Sequence, residues 1–127
     1  MSRRFIQIAA ISGFIAVVIG AFAAHGLKQL LSPQAIETVK IGVQYQFFHT
    51  LALFGIALWI MHKPSAAGLK AAGLAFILGI LLFSGSLYAL ALGAPRWLGP
   101  VTPLGGVCFL LGWLFVFSAT LRTKMGE

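Results

Sequence analysis

Eleven formal charges punctuate the 127-residue chain, and the gaps between them decide what it can fold into. Residues 5–27, 41–62, 71–95 and 97–121 contain no Lys, Arg, Asp or Glu, leaving uncharged runs of 23, 22, 25 and 25 residues. Each run exceeds the ~20 residues an α-helix needs to cross ~30 Å of hydrocarbon. Lipid offers no partner for backbone N–H and C=O groups, so a spanning element must be a helix or part of a closed barrel. Barrel strands alternate apolar and polar residues; the stretch Phe76-Ile77-Leu78-Gly79-Ile80-Leu81-Leu82-Phe83 does not. The expectation is all-α: an integral membrane, antiparallel four-helix bundle. It forms a single domain over residues 1–127, with spans near 5–26, 42–61, 70–92 and 102–121. Charged residues make up 9% of the chain, against about 25% in a soluble domain. That excludes an ordinary soluble fold and a disordered chain.

A cleaved signal peptide is the rival reading of the first run. Arg3-Arg4 supplies an n-region, and Ala21-Phe22-Ala23 a small-x-small site. The apolar stretch before that site is long for a signal peptide, so a retained span is expected.

Orientation follows from the cations near the helix ends. With the N-terminus inside, the cytoplasmic side holds Arg3, Arg4, Lys63, Lys70, Arg122 and Lys124, and the opposite side Lys28, Lys40 and Arg96. Six against three places both termini in the cytoplasm. The net charge of +7 is then suited to anionic head groups. The basic residues are scattered without aromatic interleaving, so no nucleic-acid partner is expected. Cys108 is the single cysteine and reads as a small core residue.

Ser32-Pro33 forms a helix start, a capping hydroxyl followed by proline at the first helical position. Ile36, Val39, Val43 and Phe47 then recur every three to four residues. They mark a short amphipathic segment lying at the interface before span two and running into it. Between spans three and four, Pro95, Pro100 and Pro103 preclude a regular helix, and Arg96 and Trp97 suit the head-group belt. Thr102-Pro103 reads as the cap and first residue of span four.

Small residues four apart let helix backbones approach closely in lipid. Ala16, Gly20 and Ala24 on span one, and Ala71, Ala75 and Gly79 on span three, are therefore expected at helix contacts. Cys108 and Gly112 offer the same spacing on span four. Packing within the bundle is the leading reading, ahead of packing against another copy of the chain or a membrane-protein partner.

Intramembrane polar residues are costly and tend to face the bundle interior. His25, Gln46, His49, Ser84, Tyr88 and Thr102 are expected to converge at one outer level. Three readings order themselves. A hydrogen-bond network that fixes helix pairing comes first. A polar pocket for a membrane lipid, quinone or other amphiphile is second. A proton or ion relay through His25 and His49 is third, weakened by the lack of acidic residues in the spans. Two histidines are too few for a metal site. No phosphate loop, nucleophile elbow or cofactor motif is present. The leading function is a non-enzymatic accessory or assembly protein binding lipid or a membrane partner; a small oligomeric transporter or channel is the alternative.

Four stretches carry a resemblance. They are Gly20-Ala21-Phe22-Ala23-Ala24-His25-Gly26-Leu27, Val43-Gln44-Tyr45-Gln46-Phe47-Phe48-His49, Phe83-Ser84-Gly85-Ser86-Leu87-Tyr88, and Leu98-Gly99-Pro100 through Gly106 to Gly112-Trp113. In that order they resemble the YgdD-like, or transmembrane protein 256, family of small membrane proteins of unknown function. The resemblance implies a multi-pass protein of a bacterial inner membrane, and it brings no activity or binding residue with it.

Overall fold

The computed structural model describes residues 1–64 and 67–122. Ser65, in the loop after span two, and Lys124, one of the six cations counted above, lie outside the described residues. The elements are α1 (Ser2–Ala24), a 3-10 turn (Gly26–Gln29), α2 (Pro33–His62), α3 (Leu69–Gly79), a π-helical turn (Ile80–Ser84), α4 (Gly85–Ala91), a second 3-10 turn (Arg96–Leu98) and α5 (Val101–Arg122). α3, the π turn and α4 run on as one rod, Leu69–Ala91, so that four helices are long and apolar enough to cross a membrane.

Local chemistry sets the ends. Ser32 Oγ accepts the Ala35 N–H at 3.1 Å, and Pro33 occupies the first helical position. α2 then continues unbroken for 30 residues, about 45 Å of rise. The amphipathic stretch expected to lie at the interface is thus the first part of that same helix, with Ile36 and Val39 buried. Gly68, at φ +90°, opens α3, a backbone conformation that a side chain would strain. α5 begins at Val101, so Thr102 lies inside its first turn rather than capping it.

Contacts run in antiparallel register. Gly13 faces Thr50 and Gly20 faces Val43 between α1 and α2; Gly79 faces Phe109 and Gly112 faces Phe76 between α3 and α5. α2 and the α3–α4 rod form a central pair, with α1 laid mainly on α2 and α5 mainly on α3 and the π turn. The apolar core sits toward the end where α1 begins and α5 ends, and there Phe5, Leu53, Leu69, Ala72 and Phe76 are essentially inaccessible.

The small-residue faces are rotated from those expected. Ala16 is buried and Gly20 half-buried, but Ala24 is exposed; the face α1 presents inward is Phe5, Ala9, Ser12, Ala16 and Ala23. On α3, Gly79 is buried while Ala71 and Ala75 are only half-buried, and Leu69, Ala72, Gly73 and Phe76 complete the inward face. A strict step of four drifts by ~40° each time on a 3.6-residue helix. A contact face therefore alternates steps of three and four.

Glycines on the rod and α5 receive aromatic rings. Phe5 lies over Gly73, Phe109 over Gly79 and Phe76 over Gly112, so that a Cβ at any of these glycines would overlap the ring. At Gly105 the obstacle is the backbone of Phe83, in the π turn.

Candidate functional site

The buried polar side chains form a ladder on α2. The Gln46 amide nitrogen donates to the Ser12 carbonyl at 2.9 Å and to Ser12 Oγ at 3.1 Å, while Gln46 Oε1 accepts the Tyr88 hydroxyl at 2.6 Å. A carbonyl can only accept, so the Ser12 contact fixes which end of the amide is nitrogen. Ser12 Oγ and Thr50 Oγ1 lie 2.7 Å apart, and Ser84 Oγ donates to the Gly42 carbonyl at 2.7 Å. One glutamine thus ties α1 and α4 to α2. From Gly42 to Thr50 the ladder occupies about 12 Å of helical rise. It reaches Ser12, close to the middle of α1, instead of forming a single outer level.

His49 belongs to the neighbouring face of α2. Trp113 Nε1–H donates to His49 Nε2 at 3.1 Å, and His49 Nδ1 stands 2.8 Å from the Tyr45 carbonyl. An indole can only donate and a carbonyl can only accept, so the ring is the neutral tautomer with its hydrogen on Nδ1. The imidazole stacks on Phe109 with centroids 3.6 Å apart and meets Phe76 edge-on at 5.2 Å. Nε2 ties α5 to α2, and Nδ1 is spent on the Tyr45 carbonyl of α2 itself.

Gln46, Ser84 and Tyr88 therefore come together, with His49 on the neighbouring face. Thr102 joins a third contact: its hydroxyl pairs with Ser86 Oγ at 2.5 Å, linking α5 to α4. His25 joins none of these contacts. It is exposed beyond the end of α1, about 20 Å of rise from Ser12, because the helix ends at Ala24 and its neighbours turn away. Ser12, Ser86 and Trp113 are the partners that sequence reasoning missed. For Ser12 the signal was its place in the series Phe5, Ala9, Ser12, Ala16.

With its inward face committed to α2, α1 leaves a groove against the α3–α4 rod. The lower part, about 320 Å³, is walled by Ile8, Ile11 and Ile15 on α1 and by Ile77, Ile80 and Leu81 on the rod, with the buried Ser12, Gln46 and Ser84 behind them. Tyr88 also borders the upper part, about 190 Å³, beside Ile19, Phe22, Leu27, Val39 and Leu92. The two cavities, which share Tyr88, border α1 from Ile8 to Phe22, about 21 Å of rise. Gly85 lines its lower part, where an added Cβ would meet nothing within 4 Å.

Residues 19–106 match the family described as "Protein of unknown function (DUF423)". The stretch covers Gln46, Ser84, Gly85 and Tyr88 of the ladder and groove, together with His49, but begins after Ser12 and the groove residues Ile8, Ile11 and Ile15. The chain belongs to this family. Its relatives include a UPF0382 membrane protein of Haemophilus influenzae, 40% identical over 98% of each chain. The UPF0382 inner membrane protein YgdD of Escherichia coli K12 is 43% identical over 98% of this chain and 95% of its own. The UPF0382 membrane protein YwdK of Bacillus subtilis is 40% identical over 94% of this chain and 98% of its own. No solved structure matches the chain. Family and fold agree: this is a multi-pass membrane protein, and α1, α2, the α3–α4 rod and the segment ending in α5 are the helices long and apolar enough to span.

Proposed function

We propose that the protein is a non-catalytic accessory protein of a bacterial inner membrane that holds a lipid chain in the groove between α1 and the α3–α4 rod. The observation that carries this reading is the pair of cavities that border α1 on either side of Tyr88, walled mainly by isoleucine and leucine and spread over about 21 Å of helical rise. The hydrocarbon core is ~30 Å thick, so the groove is longer than one leaflet's half of it. An acyl chain seated there trades its neighbours in the bilayer for fixed isoleucine side chains.

Both termini are cytoplasmic in this proposal, supported by the excess of cations at that end. The YgdD relative is named an inner membrane protein, which supports the location. A transport route through His25 and His49 is disfavoured, since both His49 ring nitrogens are taken, one by Trp113 on α5 and one by the Tyr45 carbonyl of its own helix, and His25 lies outside the ladder.

The test is lipid retention through purification, read by native mass spectrometry. The wild type is expected to retain lipid; Gly85→Phe, which places a ring in the groove at an unobstructed position, is expected to fold normally and lose it. Equal retention by both proteins would overturn the proposal.

A further inference from the structure

The upper end of the groove carries charges that the ladder does not use. Leu27 lines one wall there and Leu92 the other. Lys28 follows Leu27 directly in the 3-10 turn after α1, and Arg96 stands four residues beyond Leu92, in the 3-10 turn after α4. Both cations are exposed. At this end of the bundle the carboxylate is Glu37, and it pairs with Lys40 at 3.6 Å. The chain's second acid is Glu127, at the end of the chain beyond α5. Among the described residues, Lys28 and Arg96 have no carboxylate partner.

From this we infer that the groove is selective for an anionic phospholipid, with one acyl chain lying along α1 and the phosphate held between Lys28 and Arg96. The inference rests on the groove reading above and adds the head-group chemistry. Chain and head group recognise different things. The isoleucine walls accept any extended hydrocarbon, whereas unpaired cations in the two turns that follow Leu27 and Leu92 favour net negative charge over a zwitterion, whose own ammonium they would repel. Arginine can also meet two phosphate oxygens at once. Trp97, next to Arg96 and largely exposed, is of the type that sits at head-group depth.

The experiment offers the purified protein equimolar phosphatidylglycerol and phosphatidylcholine with identical chains, at low salt, and reads bound lipid by native mass spectrometry. Each cation near a charged lipid contributes about 1 kcal/mol, so the pair predicts about 30-fold preference for phosphatidylglycerol. Lys28→Gln with Arg96→Gln, exposed changes that leave the helices intact, is expected to reduce that preference to about unity while the chains still bind. Free inorganic phosphate in excess is expected not to displace the lipid, because the chain supplies most of the contact. Retained preference in the double variant, or equal binding of the two lipids by the wild type, would overturn the inference while leaving the groove reading standing. Binding of neither lipid by the wild type would overturn both.

Discussion

The central pair, α2 and the α3–α4 rod, is flanked by two helices held in different ways. α5 is held mainly by shape, with the Trp113–His49 and Thr102–Ser86 bonds beside it: rings seat over Gly79 and Gly112, and Gly105 lies against the Phe83 backbone. α1 is held to α2 by small residues and by the Ser12–Gln46–Thr50 bonds, and against the rod it leaves a groove. Lipid removes the hydrophobic drive between helices, so contact must come from close packing or from hydrogen bonds. Close packing fills the contact at Gly79, Gly105 and Gly112. A hydrogen-bonded latch on one face of α1 leaves its other face free to border a groove.

The largest expected effect is at the shape-held side. Gly105→Val drives a side chain into backbone that cannot rotate away, and it should cost about 3 kcal/mol or more, read by thermal unfolding in micelles. On the latch side, Gln46→Leu removes the bonds to Ser12 and Tyr88; at about 0.6 kcal/mol each the loss should be about 2 kcal/mol. A loss at Gln46 exceeding that at Gly105 would reverse the comparison.

A finer probe is the double-mutant cycle of Gln46→Leu with Tyr88→Phe. A coupling of about 0.6 kcal/mol is expected; strict additivity would show that the 2.6 Å contact contributes nothing. The smallest effect is at the groove. Gly85→Phe should shift stability by no more than about 0.5 kcal/mol, since no atom stands within 4 Å of an added Cβ.

What the sequence revealed follows the size of each physical penalty. A charge in hydrocarbon is expensive enough that the positions of eleven charges mark four spans. Gln46, His49, Ser84 and Tyr88 were legible for a similar reason, because each must find a partner inside the bundle. His25 misled because it is polar and close to a span, and only the end of α1 at Ala24 places it outside. The phase of the packing faces was also hidden: Ala24 and Ala71 have the right spacing but the wrong rotation. The π turn left no mark in residues 80–84; what the structure adds there is the close approach of Gly105, on another helix, to Phe83. Trp113 resembled any aromatic facing lipid until its indole was found on His49.

The contrast between the two flanks is tested most directly by where a lipid chain touches the protein. A phospholipid with a photoreactive group midway along one acyl chain, carried through purification and then activated, labels whatever its chain lies against. Adducts are expected on Ile11, Ile15, Ile77 and Leu81, with none on the α3–α5 contact around Ala72 and Phe76, and they should vanish in Gly85→Phe. Adducts spread evenly over both flanks, or unchanged in that variant, would contradict it.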